Sequence, residues 1–165
     1  MMKPSRLLIT LFLTSAIFAC NGEDTDSAAN VETGINSSGD TAAITAVTFT
    51  GEPGSYTFSV TVESPDTGCN QYADWWEVLN ADGDLLYRRI LAHSHVDEQP
   101  FTRSGGPVSA TAEEELIVRA HMNSAGYGEL VFTGSVAQGF MQETLGSSFA
   151  EGLEFVDPLP DSCAF

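Results

Sequence analysis

Lysine is almost missing from this chain. Lys3 and Arg6 stand together at the N-terminus, and beyond residue 6 there is no further lysine and only four arginines against 23 acidic residues, a formal charge of 4 − 23 = −19. A field of that sign repels phosphate backbones and anionic lipid, which excludes nucleic-acid binding, and it suits divalent cations or a salty medium. Cysteine is scarce as well: Cys20, Cys69 and Cys163 have no neighbouring Cys or His, so the sequence offers neither a thiolate zinc cluster nor a cysteine nucleophile beside a base. There is no Gly-x-Ser-x-Gly and no phosphate loop. Past residue 18 no long apolar run occurs, and no stretch of ten or more residues carries a helical apolar stripe.

What is scarce is also gathered. The four arginines (Arg88, Arg89, Arg103, Arg119) and all three histidines (His93, His95, His121) fall between positions 88 and 121. Any specific cationic or imidazole chemistry therefore has to be found in that window.

The N-terminal residues MMKPSRLLITLFLTSAIFAC place Lys3 and Arg6 before an apolar run, residues 7 to 18, that is too short to remain as a membrane span. An export signal over residues 1 to 19 is the expectation. Its end, Ile17-Phe18-Ala19-Cys20, resembles the lipobox of bacterial lipoproteins, and that resemblance implies cleavage before a lipidated Cys20. Each buried methylene adds about 0.8 kcal/mol, so two or three acyl chains hold a domain on a membrane without spanning it. Residues 20 to 42 are rich in Asp, Glu, Ser, Asn, Gly and Thr and cannot bury enough surface to order themselves, which makes them a flexible acidic tether. Glu23, Asp24 and Asp26 resemble the acidic surface-export signals of some Gram-negative lipoproteins, implying an outer membrane location on its periplasmic or surface face. With Cys20 assigned to lipid, Cys69 and Cys163 remain as an even pair in an oxidising compartment, and a disulfide between them is expected.

Residues 43 to 165 suffice for one domain with its own core. Period-two alternation recurs there. AITAVTFT (43 to 50) and YTFSVTVE (56 to 63) flank Gly51-Glu52-Pro53-Gly54. Residues 75 to 79 and 85 to 93 flank Asn80-Ala81-Asp82-Gly83-Asp84, and LIVRAHM (116 to 122) and ELVFTGSV (129 to 136) flank Gly126-Tyr127-Gly128. Six or seven short strands predict an all-β, immunoglobulin-like antiparallel sandwich with Trp75 or Trp76 as central filler. Residues 137 to 165 are poorly patterned, so an irregular C-terminal tail is expected, with at most one strand around residues 153 to 156, folded back to Cys69.

If the fourth strand runs through residue 95, Arg89, Leu91, His93 and His95 share a face, with the histidines roughly 6 to 7 Å apart at the backbone. Both imidazoles then converge on one metal ion or anion, Asp97 or Glu98 adds an oxygen, and His121 on a neighbouring strand supplies a third imidazole, a set that suits zinc or copper. A small metal-dependent enzyme would use His93, His95 and His121 as ligands and Glu98 as base. The alternative is a clasp. In it Arg89, Arg103 and Arg119 pair with Asp97, Glu98, Glu77 or Asp74, the two histidines donate to backbone carbonyls, and Pro100 and Gly105-Gly106-Pro107 set the bends of a long loop. Asn80, Asp82 and Asp84 have carboxylate spacing of the calcium-loop kind, but Gly83 stands at the fourth position of the loop instead of the sixth, so a hairpin turn is expected; calcium-dependent adhesion through these acids is the remaining alternative.

The stretch HSHVDEQPFTRS, residues 93 to 104, with GCNQYADWWE (68 to 77) before it and Gly126-Tyr127-Gly128 after, resembles a family of uncharacterised exported bacterial proteins with an HxHVDEQPFTRS core. The resemblance covers about residues 61 to 132 and supports a specific site without naming its chemistry. Some members of that family carry a histidine just before the Gly-Tyr-Gly loop, where this chain has Ala125, and a third histidine ligand here would have to be His121. The resulting expectation is a lipid-anchored binding or structural module with one polar site, a membrane contact through its lipid and a protein partner at the cell surface.

Overall fold

The computed structural model describes residues 39 to 164; the expected export signal, Cys20 and most of the expected tether lie outside them. The strands are β1 (Ala43–Glu52), β2 (Ser55–Glu63), β3 (Ala73–Asn80), β4 (Leu85–Ile90), β5 (Phe101–Val108), β6 (Leu116–Met122), β7 (Gly126–Tyr127), β8 (Leu130–Ser135) and β9 (Gly139–Thr144), followed by a single 3-10 turn at Leu153–Phe155. They form two antiparallel sheets, β1-β2-β5 and β4-β3-β6-β8-β9, with β7 paired to β6. The first follows the A-B-E order of an immunoglobulin sheet and the second the C′-C-F-G order, extended by β9.

The alternation in β2 sends Tyr56, Phe58, Val60 and Val62 inward, and they meet Trp76 and Val78 of β3 and Leu116, Val118, Ala120 and Met122 of β6. Trp76 is fully buried and is the expected filler of the central strand, whereas Trp75 lies on the opposite face. The first seven residues of β3 are all buried because both faces of its sheet are covered. On the outer face, Leu79, Ile117 and Val131 pack against Leu145, Phe149, Ala150 and Leu153 of the chain after β9. The expected disulfide is present, Cys69 to Cys163, with Cα atoms 5.6 Å apart.

Three local expectations are corrected. Residues 101 to 108 are a strand and not a bent loop: β5 pairs with β2 from Phe101 to Val108. Its glycines are there for close approach, since a Cβ on Gly105 would lie 2.5 Å from the Tyr87 hydroxyl and one on Gly106 2.6 Å from the Tyr56 carbonyl. Residues 139 to 144 form β9, and residues 153 to 155 form a 3-10 turn instead of a strand. The third concerns β4, which ends at Ile90, so His93 and His95 stand beyond the sheet. Asn80, Asp82 and Asp84 make a hairpin turn in which Asn80 Oδ1 accepts the Asp82 and Asp84 N–H groups at 3.1 and 2.8 Å.

Candidate functional site

After β4 the chain is tied down at separate points. Leu91 returns its side chain to the core, and its N–H donates to the Asp74 carbonyl at 2.8 Å. His93 forms an isolated parallel bridge with Ala164, whose N–H donates to the Ala92 carbonyl at 2.6 Å. The His95 N–H donates to Asp66 Oδ2 at 2.7 Å, and its carbonyl accepts from the Glu98 N–H and from Gln99 Nε2. Gln99 also accepts the Ser64 N–H at 3.0 Å. Asp66 Oδ1 takes the Ser64 hydroxyl at 2.7 Å and the Ala73 N–H at 2.9 Å. One buried carboxylate thus joins the end of β2, the start of β3 and the histidine loop.

The histidine rings are not part of that network. His95 is buried and its ring lies flat on Phe101, with centroids 3.7 Å apart and planes 8° from parallel. Its neighbour His93 is exposed, with ring centroids 4.3 Å apart. Neither His95 ring nitrogen has a hydrogen-bond partner among the described residues, and Nδ1 stands 3.9 Å from Asp66 Oδ2, too far for a hydrogen bond. Burial, helped by the nearby Arg103 and His93, pushes the His95 pKa down from 6.5 to about 4. At neutral pH the ring is therefore uncharged, which is the form that ligates metals. Glu98 is exposed and receives Arg103 at 2.7 Å, and that guanidinium holds its carboxyl below the usual range. Ligand atoms of His93, His95 and Glu98 all lie within 4.8 Å of one another.

The other residues singled out in the sequence fall elsewhere. Asp97 is exposed and lies outside this group; Arg89 is exposed at the edge of the sheet. His121 is not a third imidazole here. It projects from β6 on the outer face, where Nδ1 meets Asp74 Oδ1 at 2.7 Å and the ring stacks on Trp75 at 3.8 Å. An enzyme arrangement with His121 as ligand and Glu98 as base is thereby taken apart, because Glu98 lies with the two histidines and His121 with Asp74. Arg119 also lies on that outer face. It shares Glu77 with Arg88, at 2.8 and 2.7 Å, in a buried row across β4, β3 and β6. The two guanidiniums then donate outward to the carbonyls of Phe149, Leu153, Val156 and Pro158, which holds the covering segment down. Burial, reinforced by Glu77, pushes the Tyr127 hydroxyl up to about 12 under the Arg119 guanidinium.

No family model matches the chain, and no solved structure matches it. Over 71 residues it is 44% identical to a protein of Halomicrobium mukohataei named "Putative lipoprotein", covering 43% of this chain and 35% of that protein. The match thus spans about a third of the relative's length.

Asp66, Gln99 and Arg88 carry much of this architecture; Arg88 and Gln99 fall in the window and stretch singled out above without a role of their own, and Asp66 has no distinguishing mark in the sequence. Asp66 sits in Ser-Pro-Asp-Thr-Gly, which reads as an ordinary turn.

The low His95 pKa makes a stability prediction for metal-free protein. The unfolded ring binds its proton near pH 6.5 and the folded one near pH 4, so between these values the unfolded state holds more protons and stability rises with pH. The contribution is fully present above pH 6.5 and lost as pH falls towards 4, about 3 kcal/mol in total. Urea unfolding in chelator at pH 7 and 4.5 should show this drop in the wild type and a smaller one in His95→Phe, which keeps the stack on Phe101. Equal drops in the two proteins would contradict it.

Proposed function

We propose that this chain is an exported, lipid-anchored β-sandwich module that binds a divalent transition metal through His93, His95 and Glu98. The observation that carries the reading is the buried, uncharged His95 ring with both nitrogens lacking a hydrogen-bond partner among the described residues, beside two exposed groups of ligand type. A buried polar group without a partner costs free energy, and coordination would recover it. The clasp reading has the imidazoles donate to backbone carbonyls, yet Asp66 and Gln99 hold this loop through its main chain, and the His95 ring stacks on Phe101 without using its nitrogens.

Two imidazoles and a carboxylate are the donor set of an open zinc site, and copper is an equally suitable ion. Bonds of 2.0 to 2.2 Å require ligand atoms about 3.3 Å apart in a tetrahedron. The exposed His93 and Glu98 side chains would rotate towards the fixed His95, and Glu98 would exchange Arg103 for the ion. Anchoring is supported by Ala19-Cys20 and by the name of the Halomicrobium protein. The acidic residues after Cys20 favour display on the outer membrane of a Gram-negative cell, with the lipid as membrane contact.

Elemental analysis after dialysis against zinc, copper and calcium tests the reading. The expected result is about one transition metal per chain, calcium failing to compete, and a loss of binding by 100-fold or more in His93→Ala/His95→Ala, in line with the cost of removing two first ligands. Metal absent from the wild type, with the double variant merely melting earlier, would leave the loop as a structural clasp. Calcium uptake indifferent to both histidines would instead favour adhesion through the acidic surface.

A further inference from the structure

The connection between β2 and β3, residues 64 to 72, holds both histidines, by two independent routes. Asp66 takes the His95 N–H directly. Three residues on, Cys69 is bonded to Cys163, and the residue after Cys163 is Ala164, which donates its N–H to Ala92 and pairs with His93. Cys69 is itself fixed, since its carbonyl accepts Asn123 Nδ2 at 2.9 Å and Gly68 and Gln71 close a bridge around it. Among the described residues, the main-chain partner of the Ala92–His93 pair is thus a single C-terminal residue that a covalent bond delivers.

We propose that the disulfide-pinned C-terminal segment, through its bridge at Ala164, is the positioning element of the metal site, fixing His93 beside His95 and so setting the site's affinity. This rests on the metal reading above. His93 is exposed and lies beyond the last residue of β4, so without Ala164 it would sample many positions, and gathering it at the ion would cost conformational entropy on every binding event. With the bridge made, that cost is met during folding and oxidation. His95 needs no such help, being locked by burial, Phe101 and Asp66.

Two variants test this in the full domain. Ala164→Pro removes the N–H donor while leaving both cysteines. Cys69→Ser/Cys163→Ser removes the covalent link without creating thiols that could themselves bind metal. Zinc titration should give at least about tenfold weaker binding in each, the range found when a ligand's supporting contact is lost. Independently of any metal, imidazole NMR of the chelated protein should show the His93 and His95 ring signals displaced, because the 4.3 Å ring pairing is loosened, while the His121 signals stay in place on Trp75 and Asp74. Unchanged ring signals and unchanged affinity in Ala164→Pro would overturn the proposal. A wild type that takes no zinc would sink the metal reading; displaced His93 and His95 signals would then still show the C-terminal segment to be what positions them.

Discussion

Glu77→Leu should cost this protein about 3 to 5 kcal/mol in urea unfolding, because it strips the only carboxylate from between two buried guanidiniums. Arg88 and Arg119 are 5% and 2% exposed, and neither can lose its charge, so in the variant two like charges would face each other across β3 with no counter-ion. Arg119 Nη2 already lacks a hydrogen-bond partner among the described residues, which leaves little to absorb the change. The loss measures a broken pair and not the net worth of the row. Replacing all three residues together, Arg88→Met/Glu77→Leu/Arg119→Met, should restore much of the stability, since an apolar row of similar volume avoids the desolvation cost. That triple variant still lacks the bonds to Phe149, Leu153, Val156 and Pro158, so the covering segment should become sensitive to proteolysis even as the sandwich holds. A Glu77→Leu loss below 1 kcal/mol would show that water or the covering segment relaxes around the arginines.

The same row shows where a sequence stops being readable. Strand pairs with clear turns between them, β1-β2, β3-β4 and β6-β8, follow from alternation, and the Cys69–Cys163 bridge follows from the cysteine count, whereas which of Trp75 and Trp76 fills the core stays open until the sheets are paired. Alternation extended too far is what went astray: carrying β4 through to His95 put Arg89 on the site face, whereas the strand ends at Ile90 and the buried arginine is Arg88, across from Glu77. β5 was hidden because Gly105-Gly106-Pro107 has the composition of a turn, and only the Tyr87 and Tyr56 atoms packed against it require glycine there. The pair His93 and His95 is visible as a motif, and Glu98 stands among the acids near it. That His121 belongs to a different face, and that Asp66 holds the loop, depends on tertiary pairing that no local pattern encodes.

Cys69→Ser/Cys163→Ser is expected to lower global stability by about 4 to 5 kcal/mol, the chain-entropy value for a closed loop with a separation of 94 residues. Most of that effect is in the unfolded chain, which gains freedom when the link is cut. In the folded protein the tail as far as Pro158 has its own holds, from Arg88 and Arg119, so only the last few residues and the His93 bridge depend on the disulfide directly. Hydrogen exchange can separate these two levels. In the serine variant, amides of residues 149 to 156 should keep their protection relative to the lowered global value, while Ala164 exchanges freely. In Glu77→Leu the order should reverse: the segment over the arginine row opens first, although the bridge at its end remains closed. If the serine variant instead releases the whole segment after β9, the arginine row is not an independent hold, and the C-terminal cover and the histidine loop are one cooperative unit fastened at Cys69.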